Sequence, residues 1–170
     1  MLPRSRTHTV QKVPLTQNQL DEMLRVHLRF EIERFQMAAS MWGRSKYGVE
    51  VDGMIRESCL IHMRLLLDFF YPRVDPRKRK YDDVFVTDYL PEKTQLRKQF
   101  QELLAEPAWL RDYRDQLDWR LAHLTTKRID YNTNAAWRPQ EQFRHLELLI
   151  REFKSALPER TRAMFNPHRQ

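Results

Sequence analysis

Residues 59 to 71 read CLIHMRLLLDFFY. Ile55, Cys59, His62, Leu66 and Phe69 recur at alternating spacings of four and three, one stripe of an α-helix. Leu60, Met63, Leu67 and Phe70 make a second stripe beside it. A helix apolar over most of its circumference is packed on several sides. The spacing predicts a central helix beginning at Asp52 or Met54 and ending at Phe70. His62, Arg64 and Asp68 interrupt the run, which falls short of the roughly 18 apolar residues of a membrane span. Glu57, Arg64 and Asp68 form its polar line, so Arg64 and Asp68 are expected to pair one turn apart.

Upstream, Thr16 and Gln19 fit a capping box, which places the start of the first helix. Leu20, Leu24, His27, Phe35 and Trp42 continue it for about 26 residues, near 40 Å in length. All three glycines, Gly43, Gly48 and Gly53, fall in GRSKYGVEVDG, the loop expected to end it. So few glycines argue against a β-rich fold, whose turns need positive φ.

Downstream, YPRVDPRKRKYDD is a proline-marked basic loop. DDVFVTDYL is expected to be a short helix or irregular segment docking Phe85 and Tyr89. A third helix begins near Pro91 and carries Leu96, Phe100, Leu103 and Leu104. Pro107 opens a fourth, with Leu110, Tyr113, Leu117, Leu121 and Leu124 as its stripe. Pro139 opens a fifth, with Phe143, Leu146, Leu149, Ile150 and Phe153. Pro158 ends it, before a short final turn. The reading is all-α: a single-domain up-and-down bundle of four to five helices. It spans 16–165, between a basic arm (1–15) and a short tail (166–170).

The 170 residues carry a net charge of +7, and arginine far outnumbers lysine. Guanidinium groups match phosphate and carboxylate bidentately, which suits nucleic acid or an acidic protein partner. A solvated surface rich in arginine explains the same composition. Arg73, Arg77, Lys78, Arg79, Lys80 and Lys127 are the candidate nucleic-acid contacts. The single cysteine, Cys59, suits a reducing cytoplasm and reads as a buried, inert thiol. No histidine or cysteine spacing fits a metal site, and no glycine-rich phosphate loop is present, so no cofactor is expected. His27 and His62 sit on apolar stripes, where burial against a hydrogen-bonding partner is the default.

DWRLAHLTTKR, residues 118 to 128, is the most suggestive polar stretch. His123 lies about 120° round the helix from Leu117, off the apolar stripe. It suits a general acid or base beside Arg120 and Arg128 as charge stabilisers, and equally a cationic helix cap. Arg64, Asp68 and His62 would support it from behind.

HMRLLLDFF (62–70), DYL (88–90) and LDWRLAHLT (117–125) resemble a group of small bacterial helical proteins and, more distantly, the HEPN superfamily. That resemblance implies an all-helical, often dimeric bundle. It implies either a metal-independent ribonuclease of defence or RNA metabolism, or a non-catalytic module binding nucleic acid or protein. Ala122 and His123 match the end of the HEPN motif and Asp118 its polar position. Its arginine would fall at 117, which is Leu117 here. A homodimer is also expected from the tryptophans Trp109, Trp119 and Trp137, which a partner would bury.

Overall fold

A computed structural model of the chain describes residues 15–44, 48–72, 83–90, 102, 105–121 and 140–165, with the backbone alone for 119–121. Among the described residues every regular element is helical. The elements are α1 (Gln17–Glu22), a π turn (Met23–Leu28), α2 (Arg29–Met41), α3 (Val49–Phe70), a 3-10 turn (Val86–Asp88), α4 (Leu110–Leu121), α5 (Gln140–Ala156) and α6 (Glu159–Ala163). The helix expected from Pro91 lies outside the described residues but for the helical Glu102, as do the tail and all of the arm but Leu15.

The first helix starts where its cap signal places it. The Gln19 amide donates to Thr16 Oγ1 (3.3 Å) and the Thr16 amide donates to Gln19 Oε1 (2.9 Å). α1, the π turn and α2 then form one continuous rod. Within the π turn the Arg29 amide donates to the Leu24 carbonyl, five residues back rather than four. Leu24, Leu28, Ile32 and Phe35 are buried, while His27 is exposed. The expectation of a buried His27 is therefore corrected: at 100° per residue it stands about 60° from Leu24, on the side away from Leu28 and Ile32, at the edge of the buried face.

The rod ends at Trp42, and Gly43 turns the chain at φ +69°. α3 begins at Val49, earlier than expected, behind a Gly48 cap at φ +95°. Glu50 and Asp52 occupy its first turn, where acidic side chains meet the positive end of the helix dipole. Gly53 consequently lies inside the helix rather than in the loop.

α3 is central, as its two stripes require, and packs against α2, α4 and α5. Cys59, Met63, Leu66, Leu67 and Phe70 are almost wholly buried. Burial pushes the Cys59 thiol up to about 12, which keeps it protonated and unreactive. α5 contributes Phe143, Leu146, Leu149, Ile150 and Phe153, the stripe expected of it. Phe153 is the hub, with the rings of Phe69, Phe70, Tyr89 and Phe165 packed edge-on at 5.5 to 6.4 Å. In the 83–90 segment Val86 and Tyr89 are buried and Phe85 only half-buried. Val86 and Tyr89 thus dock most deeply, with Phe85 half-buried beside Leu66 and Phe69. Trp109 is half-buried and packs on Tyr113 and His145. No helix among the described residues is long and apolar enough to cross a membrane.

Candidate functional site

Three polar features surround α3. The first is the seam between α3 and α4. Arg64 of α3 reaches Asp118 Oδ1 of α4 at 3.0 Å. Arg114 of α4 reaches back to Asp68 Oδ1 at 3.5 Å. Sequence reasoning paired Arg64 with Asp68 along one helix, whereas in the structure both find partners across the interface. An i,i+4 rule describes an isolated helix and cannot anticipate a neighbour of opposite charge.

Arg114 is the residue sequence reasoning missed. It is only 6% exposed. Its guanidinium donates to the Leu67 carbonyl at 2.9 Å and to the Tyr71 carbonyl, at the C-terminal end of α3. Those carbonyls lie where a helix runs out of internal donors and carries the negative end of its dipole. One buried cation therefore closes the central helix. The signal was present: Arg114 shares the face of Leu110, Tyr113 and Leu117, and an arginine on an apolar face needs buried acceptors.

The second feature is a histidine–tyrosine junction. Tyr71, the residue that ends α3, stacks on His145 of α5 at 6.0 Å and an interplanar angle of 15°. Its hydroxyl lies 2.7 Å from His145 Nε2, and the Trp109 ring stands edge-on to the imidazole at 5.3 Å. Burial pushes the Tyr71 phenol up to about 12, opposed by the nearby Arg114 cation and assisted by Glu106. Burial also lowers the His145 pKa. Tyr71 therefore donates and neutral His145 accepts at Nε2. The unfolded histidine, with a pKa of about 6.5, then binds protons that the folded one resists. The stability from this contact is present above that pH and is lost as pH falls through it. Urea midpoints measured from pH 7.5 to 5 are expected to fall more steeply for the native protein than for His145→Phe.

The third feature lies on the other side of α3. His62 Nδ1 sits 2.5 Å from Glu31 Oε2 of α2, and Phe30 packs edge-on against the imidazole at 5.9 Å. His62 thus has the partner that its place on an apolar stripe calls for. Nearby, a cavity of about 230 Å³ opens between the π turn, α3 and the 83–90 segment. The Tyr89 hydroxyl donates to the Leu20 carbonyl at 3.0 Å, fixing that segment against α1.

The remaining expected site residues divide as follows. Arg120 belongs to α4, with its backbone alone described. His123, Arg128, Lys127, Arg73, Arg77, Lys78, Arg79 and Lys80 lie outside the described residues. Of the second group, Arg64 and Asp68 both face α4, while His62 turns towards α2. They do not form one cluster. No group of three metal-ligating side chains occurs among the described residues. No family model, curated protein or solved structure matches the chain.

Proposed function

We propose that this chain is a non-catalytic helical interaction module that works as a symmetric homodimer, joined through the outer face of the α2–α3 hairpin. The observation that carries this reading is a line of exposed apolar side chains on that face. Phe30 is 46%, Met37 47%, Met54 70%, Ile61 47% and Leu65 48% exposed. The Phe30–His62 contact shows that the two helices present these residues side by side. With Val26, they offer on the order of 500 Å² of contiguous apolar surface, near the upper end for a monomer.

A second copy fits this face best. The charges flanking it on the first rod already pair locally, as Glu22–Arg25 and Arg29–Glu33. Those pairs offset the charge along that part of the face. Two copies related by a two-fold axis bring the same apolar line against itself, as an isologous contact requires. The aliphatic stems of Arg34 and its neighbours extend the contact towards the roughly 800 Å² per partner of a standard interface. Sedimentation equilibrium of the full chain is expected to give twice the monomer mass. A monomer at about 100 μM would remove this reading.

A second reading, a metal-independent ribonuclease resembling the HEPN proteins, is favoured by the Arg64–Asp118 pair. It carries an arginine from α3 to α4 beside position 117, where the motif arginine would stand. In that reading Arg64 stabilises the phosphate and His123 serves as the acid–base group. RNA cleavage in EDTA is then expected from the native protein and lost by at least about 100-fold in His123→Ala and in Arg64→Ala. No cleavage by the native protein, or equal cleavage by the variants, excludes it.

A further inference from the structure

We propose that Met37 and Met54 are the sites at which a peroxide oxidises this chain, and that their sulfoxides release the dimer. The inference rests on the homodimer reading and adds a regulation to the same face.

The sulfur groups of the chain point there. They are seven methionines and one cysteine. Cys59 is wholly buried, and burial holds its thiol protonated, so it offers a peroxide no thiolate. Oxidation therefore falls on the thioethers, which need no ionisation and react according to their exposure. Among the described residues Met63 is wholly buried, Met23, Met41 and Met164 are half-buried, and Met37 and Met54 alone are exposed. Both of these lie on the apolar face of the hairpin.

Their placement is the second observation. Phe30 of α2 meets His62 of α3 edge-on, and the two helices run antiparallel from the turn between them. Met37 stands seven residues beyond Phe30, and Met54 seven residues before Ile61. Seven residues are close to two turns, so each thioether keeps the face of its reference residue, about 11 Å nearer the connecting turn. Met37 and Met54 are thus neighbours at one end of the proposed contact.

Peroxide is the one co-reactant the step needs. A sulfur lone pair attacks a peroxide oxygen, an S–O bond forms and the O–O bond breaks. The proton on the transferred oxygen passes to the departing hydroxide, which leaves as water. Sulfur loses two electrons and the peroxide gains them. A thioether enters an apolar contact without giving up a strong hydrogen bond. A sulfoxide oxygen is a strong acceptor that such a contact leaves unpaired. The two-fold axis repeats the cost, since each copy brings both groups to the interface. The separated chain is the form that reacts, and once oxidised it no longer pairs, so mass action draws the remaining dimer apart.

The test treats the full chain with dilute hydrogen peroxide, locates each sulfoxide by peptide mass spectrometry and reads the dimer by sedimentation equilibrium. Met37 and Met54 are expected to oxidise at least about tenfold faster than Met63. They are expected to react more slowly at protein concentrations above the dimer dissociation constant than below it. With both oxidised, that constant should rise at least about 30-fold while the helical circular dichroism is kept, and methionine sulfoxide reductases should restore it. A chain carrying Met37→Leu and Met54→Leu, compared with its own untreated form, should change by less than about threefold on oxidation. An unchanged dissociation constant with both sulfoxides formed overturns the proposal. So do oxidation rates that ignore protein concentration, an equal response in the double variant, or a loss of helical signal along with the dimer. An untreated chain that sediments as a monomer removes the dimer reading itself, whereas a native dimer indifferent to peroxide removes this inference alone.

Discussion

Replacing Arg114 with alanine is expected to lower stability by about 3 kcal/mol. The guanidinium is almost wholly buried, and it is the donor to the Leu67 and Tyr71 carbonyls as well as the partner of Asp68. Each buried acceptor stripped of a donor costs about 1–3 kcal/mol, and the lost ion pair adds to that. Asp68 is the lesser part of the loss, since its side chain is 37% exposed and water can replace the arginine there. For a chain of this length the melting temperature should fall by roughly 6–12 °C, read by circular dichroism. Arg114→Lys should recover only part of the loss, because an ammonium is a point charge without the planar fork of donors. A melting temperature within about 1 °C of the native value in Arg114→Ala would show that the end of α3 is closed some other way.

Ile61→Glu is expected to raise the dimer dissociation constant by at least about 100-fold. Ile61 lies in the middle of the proposed contact, and the two-fold axis brings two new carboxylates into it. Burying a carboxylate without a partner costs several kcal/mol, and two like charges add repulsion. In the separated chain the same side chain is 47% exposed, so the monomer should lose less than about 0.5 kcal/mol. That contrast makes Ile61 a cleaner probe than Phe30, whose ring also packs on His62. Sedimentation equilibrium separates the two effects: a folded monomer supports the contact, and a persistent dimer places the interface elsewhere.

The helical class and most of the core were legible because they depend on near neighbours. The Thr16–Gln19 cap, the two stripes of α3 and the stripe of α5 are all patterns within a few residues. Each survived folding because every copy of the pattern pointed to the same buried face. Reading failed at His27, which stands at the edge of the buried face and is exposed. It also missed Val86, which the 3-10 turn buries beside Tyr89. Both depend on where around a turn a side chain stands, which is finer than the periodicity that the reading used.

The candidate sites were less legible, since their partners are far apart in the chain. His62 meets Glu31 across 31 residues, Arg114 meets Leu67 across 47, and Tyr71 meets His145 across 74. Nothing at either end of such a pair specifies the other. The sequence by itself determined the helical class, the Thr16–Gln19 cap and the central place of α3, since side-chain pattern and backbone hydrogen bonding are settled within a turn or two. Only the tertiary structure decided which charge closes the central helix, which apolar residues stay outside and where a cavity forms. Those depend on how separate helices meet, and that is set by packing between surfaces rather than by spacing along one of them.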